Sequence, residues 1–199
     1  MNPPFPPRLS VVRSPDSSED GPSDDAIMLA LQAGDRRALA DLARRHQGPV
    51  RRFCTAMLLD EQLARDVAQE VFFRIWVRRG SYEPQGKLRA WIFTIARNEC
   101  RSMNRRRFWR SLLPMSLSAI DPALPADEVL ERNSQEALVR AALGRLPEKF
   151  RVPLILRFVE ELDYEQIAQV IGRTPSAARS RVHYGLEALA ELLPPEVKP

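Results

Sequence analysis

From Asp24 onward, apolar side chains return every three or four residues, the recurrence that turns one face of an α-helix toward a core. Ile27, Leu31, Leu39, Leu42 and Ala43 keep this rhythm, with Gly34-Asp35 punctuating a short turn. Amphipathic stretches follow at Val50 to Leu59, Glu61 to Arg78 and Leu88 to about Arg107, predicting a four-helix unit. The rhythm fails over 111–133, where Pro114, Pro122 and Pro125 stand among small residues. A helix interior tolerates neither the missing N–H nor the ring at that density. Helical spacing resumes in four stretches, Gln135 to Leu146, Pro147 to Val159, Asp163 to Ile171 and Pro175 to Leu193. No strand pair or internal repeat interrupts it. The pattern predicts an all-α chain: two small helical domains, residues 24–110 and 134–193, joined by a flexible linker over 111–133. Before them, residues 1–23 carry Pro3, Pro4, Pro6, Pro7, Pro15 and Pro22 among Ser and acids, too little apolar surface to offset ordering entropy, so a disordered tail is expected there. Residues 194–199 form a short second tail.

The sharpest local grammar lies near the C-terminus, in DYEQIAQVIGRTPSAARSRVHYGLEAL. Asp163 with Gln166 makes a capping-box start, and Gly172 supplies the residue that leaves a helix with positive φ. Thr174 is then a plausible cap, with Pro175 at the first helical position, where a missing N–H costs nothing. Helix, tight turn, helix is the pattern of a helix-turn-helix in the C-terminal domain. On its second helix Ala178, Val182, Gly185, Leu186 and Leu189 share the inner side. Ser176, Arg179, Ser180 and His183 face out, with Arg181 at the margin. Small hydroxyls and arginines near a helix N-terminus suit entry into a DNA groove, where Arg bridges guanine edges or phosphate. A plain helical hairpin with a polar face is the bland alternative.

Charge sharpens this only through its placement. The 199 residues hold 30 Lys plus Arg against 26 Asp plus Glu, a formal +4, so attraction to a polyanion must be local. It is local in RNECRSMNRRRFWR, residues 97–110. On a helical wheel Trp91, Ile92, Ile95, Ala96, Cys100 and Met103 take one side, and Thr94, Arg97, Arg101 and Arg105 the other. Arginines at spacing four can follow a phosphate backbone, releasing counterions; a face serving only solubility normally mixes in acids. Just upstream, Tyr82 sits between Gly80 and Gly86, and an aromatic beside a basic helix is what unstacked bases need.

Other chemistries find little footing. Cys54 and Cys100 lie far apart in the sequence without CxxC or His neighbours, so no metal is expected; two buried thiols are the plain reading, a redox-sensing pair the sharper one. His46 and His183 have no triad context, there is no Gly-rich phosphate loop, and the acids lack metal-ligand spacing, so neither an enzyme nor a cofactor is expected. No apolar run reaches the roughly 20 residues of a membrane span and the N-terminus lacks a signal-peptide pattern, so a cytoplasmic protein without membrane insertion is expected.

ARDVAQEVFFRIW, then KLRAWIFTIARNECRSMNRRR, then LPEKFRVPLILRFVEELDYEQIAQVIG and RSRV, resemble the bacterial RNA polymerase sigma factors of the extracytoplasmic-function (ECF) group, in the family's order over about residues 24–193. The resemblance implies a promoter-specificity subunit that performs no chemistry. Its partners would be core RNA polymerase, through the beta-prime clamp helices and the beta subunit, promoter DNA, and an anti-sigma factor. By the same resemblance, Asp66, Gln69, Glu70 and Phe73 match the helix docking on the clamp helices. Tyr82 and Asn98 match positions holding a flipped minus-ten base, for which an aromatic and an amide are apt, beside the basic Arg97, Arg101 and Arg105. Ser176, Arg179, Ser180, Arg181 and His183 fall on the helix reading the minus-thirty-five element, and the linker would thread the polymerase cleft. Three departures stand out. Ser176-Ala177 replace the usual Gly-Thr, Tyr184 and Leu186 replace basic residues, and Pro153 interrupts a helix where a kink rather than a break is expected. The residues alone leave open a stand-alone helix-turn-helix regulator that binds its operator without polymerase.

Overall fold

The structure, a computed structural model, describes residues 21–111 and 135–194. Residues 1–20 and 195–199 of the expected tails, and the linker after Ser111, lie outside these residues. The described residues are all-α, in two helical domains. In the first, α1 spans Asp24–Gln32, α2 Arg36–Leu58, α3 Glu61–Arg78 and α4 Leu88–Ser111, with a 3-10 turn at Arg79–Ser81. In the second, α5 spans Gln135–Arg145, α6 Glu148–Phe158, α7 Tyr164–Ile171 and α8 Pro175–Leu192.

Short polar caps start these helices by satisfying orphan N–H groups. Ser23 accepts from the Ala26 N–H, Asp35 from Arg37, Asp60 from Leu63, Asp163 from Gln166 and Thr174 from Ala177. The last two are the caps expected from the sequence, and Gly172 closes α7 at φ 63°, also as expected.

One boundary differs. A helix expected to begin at Val50 is instead the second half of α2, which runs unbroken through Gly48-Pro49. An interior proline forfeits one backbone hydrogen bond and crowds the preceding turn, at roughly 3 kcal/mol. Burial outweighs that here: Leu42, His46, Pro49, Val50, Phe53, Cys54 and Met57 are all buried along the same helix. Pro153 is likewise buried within a continuous α6.

The two domains do not stand apart. Val152, Ile155, Leu156, Leu162, Ile167 and Ile171 from the second join one buried cluster with Phe53, Phe93, Ile95 and Cys100 from the first. Helix α4 lies against α7, while α2 meets α5 and α6. At the end of α2, Leu59 adopts the left-handed region at φ 57°. Its side chain fills the space beside Gly144 of α5, where any Cβ would collide with it. A smaller cluster of Leu146, Leu154 and Val182 fastens α8 to α6.

Candidate nucleic-acid interface

The helix-turn-helix consists of α7 and α8. Ala178, Val182 and Gly185 are buried and Leu186 and Leu189 half-buried, while Ser176, Arg179, Ser180 and His183 are exposed, matching the expected division of the helix. Gly185 lets α8 pack closely, since a Cβ there would sit 3.2 Å from Leu154 and 3.3 Å from Phe150. The Arg179 guanidinium lies 5.0 Å from the Tyr164 ring centroid, a cation–π contact that holds it on the outer face. His183 Nε2 lies 3.4 Å from Glu187 Oε1. Tyr184, one of the departures, is exposed beside His183.

Along α3, Asp66, Gln69 and Phe73 are exposed and Glu70 half-buried, with Glu70 Oε1 2.8 Å from Arg74 Nε. The Phe73 ring is 55% exposed and borders an apolar hollow with Leu39 and Trp76. An exposed aromatic of this kind is among the residues enriched at interfaces, whereas the acids beside it are equally at home on a solvated face.

Family comparisons agree with this layout. The Sigma-70 region 2 family matches residues 42–110 and the Sigma-70 region 4 family residues 136–189. The ECF RNA polymerase sigma factor SigW of Bacillus subtilis is 26% identical over 174 residues, covering 82% of this chain and 92% of that protein. The RNA polymerase sigma factor CarQ of Myxococcus xanthus is 32% identical over 166 residues, covering 83% of this chain and 95% of that protein. The chain belongs to the ECF sigma factors. It therefore directs RNA polymerase to specific promoters. Among solved structures, Bartonella quintana RpoE in complex with the anti-sigma factor NepR matches with TM-score 0.61 and 25% identity over 77% of this chain and 94% of that one. CnrH in complex with the cytosolic domain of CnrY shares the fold, with TM-score 0.67 and 22% identity over 85% and 96%.

Within this ECF sigma factor, the second domain covers part of the basic face of α4. Arg97 does not face solvent: its side chain is 19% exposed, its Nη1 donates to the Val170 carbonyl at 2.9 Å, and its Nε lies 3.4 Å from Glu148 Oε1. Arg101 reaches the same carboxylate oxygen at 3.3 Å but stays about half exposed. The wheel placed both arginines opposite the first domain's core correctly, but this face is where α6 and α7 dock. Asn98 and Arg105 remain exposed, as do Phe108 and Trp109 at the end of the helix.

Tyr82 is covered as well. It is only 4% exposed, its ring meeting Trp91 edge-on at 5.4 Å between centroids and its hydroxyl donating to Asp25 Oδ1. Burial first, and then the Asp25 carboxylate, push its phenol well above the usual range. In this conformation Tyr82 closes a core and offers no face to a base. Two α1 residues that sequence reasoning passed over hold the loop shut. Asp25 Oδ2 accepts from the Gly86 N–H at 2.8 Å, and Gln32 Nε2 donates to the Arg79 and Tyr82 carbonyls, both at 2.8 Å.

Sequence reasoning also missed the acids that fasten the domains. Glu148 is one. Glu160 is the other, its side chain 0% exposed and its Oε2 3.1 Å from Arg52 Nη2 of α2. Arg89 of α4 donates to the Glu160 backbone carbonyl at 2.7 Å. Burial pushes the Glu160 carboxyl up to about 7 against the opposing pull of Arg52 and Arg89. No sequence spacing announces a carboxylate whose partner is 108 residues away.

Proposed function

We propose a division of labour along the chain in which residues 24–110 bind core polymerase and the minus-ten element while residues 134–193 read the minus-thirty-five element. Asp66, Gln69, Glu70 and Phe73 dock on the beta-prime clamp helices. Arg97, Asn98, Arg101 and Arg105 hold the opened minus-ten strand, with Tyr82 joining once its loop releases from Asp25. Ser176, Arg179, Ser180, Arg181 and His183 enter the minus-thirty-five groove. Residues 111–133 connect the two through the polymerase cleft toward the RNA path, the chain as a whole contacting the beta subunit as well. The protein works in the cytoplasm and catalyses no reaction of its own. The observation that carries this assignment is the capped α7-turn-α8 unit with an exposed Ser176, Arg179, Ser180 and His183 face.

The Arg97 contact requires separation of the domains, because its guanidinium is tied to Glu148 and the Val170 carbonyl, and the same movement frees the half-exposed Arg101 from that carboxylate. An anti-sigma partner is a further expectation, supported by the complexes of RpoE with NepR and of CnrH with CnrY.

The test is run-off transcription with purified core polymerase over a genomic fragment library. Discrete transcripts that depend on the protein, and vanish with Gln69→Ala plus Glu70→Lys at unchanged circular dichroism, are expected. Transcripts unaffected by that double change would overturn the docking assignment. DNA binding in a shift assay without any polymerase-dependent transcript would overturn the whole.

A further inference from the structure

Between the two domains lies a cleft with about 230 Å³ of free space, lined by Arg97 and Arg101 from α4, Glu148 and Lys149 from α6, Arg173 from the turn and Arg181 from α8. Five cations thus surround one carboxylate. Glu148 is shared by Arg97 and Arg101; among the described residues Arg173 and Arg181 have no carboxylate partner, and Lys149 only lies over the Phe150 ring. Gathering like charges in a recess lined by low-dielectric protein focuses a positive potential there. It also costs free energy in the packed state, which a multivalent anion would relieve. The space falls below the roughly 300 Å³ at which pockets begin to enclose drug-sized molecules, so it suits a compact group. Planar guanidinium forks are the side chains best matched to phosphate oxygens, and four of the five cations are arginines.

We propose that this cleft is a binding site for a diphosphate group, either free inorganic pyrophosphate or the diphosphate of a nucleotide. The bound group bridges α4 of the first domain to α6, the turn and α8 of the second. It withdraws Arg97, Arg101 and Arg181 together from DNA. Binding is thereby coupled to the packed arrangement: the anion binds it more tightly than the separated one, and shifts the equilibrium by that difference in affinity. The site does not depend on which promoter is read, so failure of the promoter assignment would leave it standing, and its own failure would leave transcription untouched.

The experiment is isothermal titration of the full-length chain with pyrophosphate, with GDP and with sulfate at matched ionic strength, alongside Lys149→Ala/Arg173→Ala. Neither of these exposed residues belongs to the DNA or polymerase contacts assigned above. Saturable one-to-one binding of pyrophosphate, weakened about tenfold or more in the double variant as two charge-assisted contacts are lost, is expected. GDP binding at least as tightly as pyrophosphate assigns a nucleotide as the source, and weaker GDP binding assigns the free ion. The second readout is the apparent affinity for a single-stranded minus-ten oligonucleotide, which pyrophosphate should lower more in the native chain than in the double variant. Sulfate matching pyrophosphate, or equal pyrophosphate binding by the double variant, overturns the site. Pyrophosphate that binds there but competes with the oligonucleotide equally in both proteins overturns its role in withdrawing the arginines.

Discussion

Replacing Glu148 by glutamine should make this sigma factor a better binder of single-stranded promoter DNA. The carboxylate holds two arginines of α4 at 3.4 and 3.3 Å. The Arg101 side is about half exposed and so worth only a few tenths of a kcal/mol, as surface pairs are. The Arg97 side is mostly buried, and its loss sets the scale at about 1 kcal/mol. Together the change loosens the packed arrangement by about 1–1.5 kcal/mol, a five- to tenfold shift toward separated domains. When only the separated form binds, apparent affinity scales with its population. A labelled minus-ten oligonucleotide followed by fluorescence anisotropy should therefore bind Glu148→Gln about five- to tenfold more tightly at low salt. Glu165→Gln, which removes the same charge from an exposed position on α7, is the control for general electrostatics and should change binding far less. Equal tightening by both variants would mean that net charge alone is responsible. No tightening by Glu148→Gln would refute the idea that the packed arrangement occludes the arginines.

Other expectations follow from the same contacts. Arg97→Ala removes the bond to Val170 and, on the proposed function, a phosphate contact, so it should lower both thermal stability and the salt slope of oligonucleotide binding, the slope by about one unit per lost phosphate. Glu160 has a folded-state pKa of about 7, above the ordinary carboxylate value, so the folded chain binds its proton more tightly. Its contribution to stability is full below about pH 4 and lost as pH rises through 7, by on the order of 3 kcal/mol in all; melts between pH 5 and 8 should show that decline, and Glu160→Gln should flatten it. Gly144→Ala drives a methyl against only the Cδ1 end of the exposed Leu59 side chain, which can turn aside, so with the helix propensity gained it should change stability in urea unfolding by less than about 1 kcal/mol. Cys54 and Cys100 are both fully buried, and the hydrogen bond of the Cys100 thiol to Cys54, followed by burial, pushes that thiol far up, so a thiol reagent should label neither until the chain is unfolded.

Most of the helical layout was legible because its signals are local. Asp163, Gly172, Thr174 and Pro175 each act within a turn of themselves, and the outward face of α8 follows from spacing alone. The break misplaced at Val50 shows the limit of local rules: Pro49 argues for a stop, and only the core around Phe53 and Met57 argues against it. The burial of Tyr82 and Arg97 was illegible for a related reason. A wheel or a loop composition tells which side of its own helix or turn a residue occupies. It says nothing about the second body that covers that side, whether α1 through Asp25 or α6 through Glu148. The two sulfurs, 46 positions apart in sequence, likewise meet only because α2 and α4 pack together.

The core shared by the two domains also bears on how the chain is made. The first domain leaves the ribosome with its α2 and α4 flank bare, because Val152, Ile155 and Ile171 are still unsynthesised. At about 5–20 residues per second, roughly 60 more residues take some 3–12 seconds to translate, long beside the time a small helical bundle needs to fold. During that interval the nascent first domain presents an apolar flank and an unmasked row of arginines. A half-made chain would be the form of this protein most open to nucleic acid and to chaperones, and completion of the second domain would end that exposure.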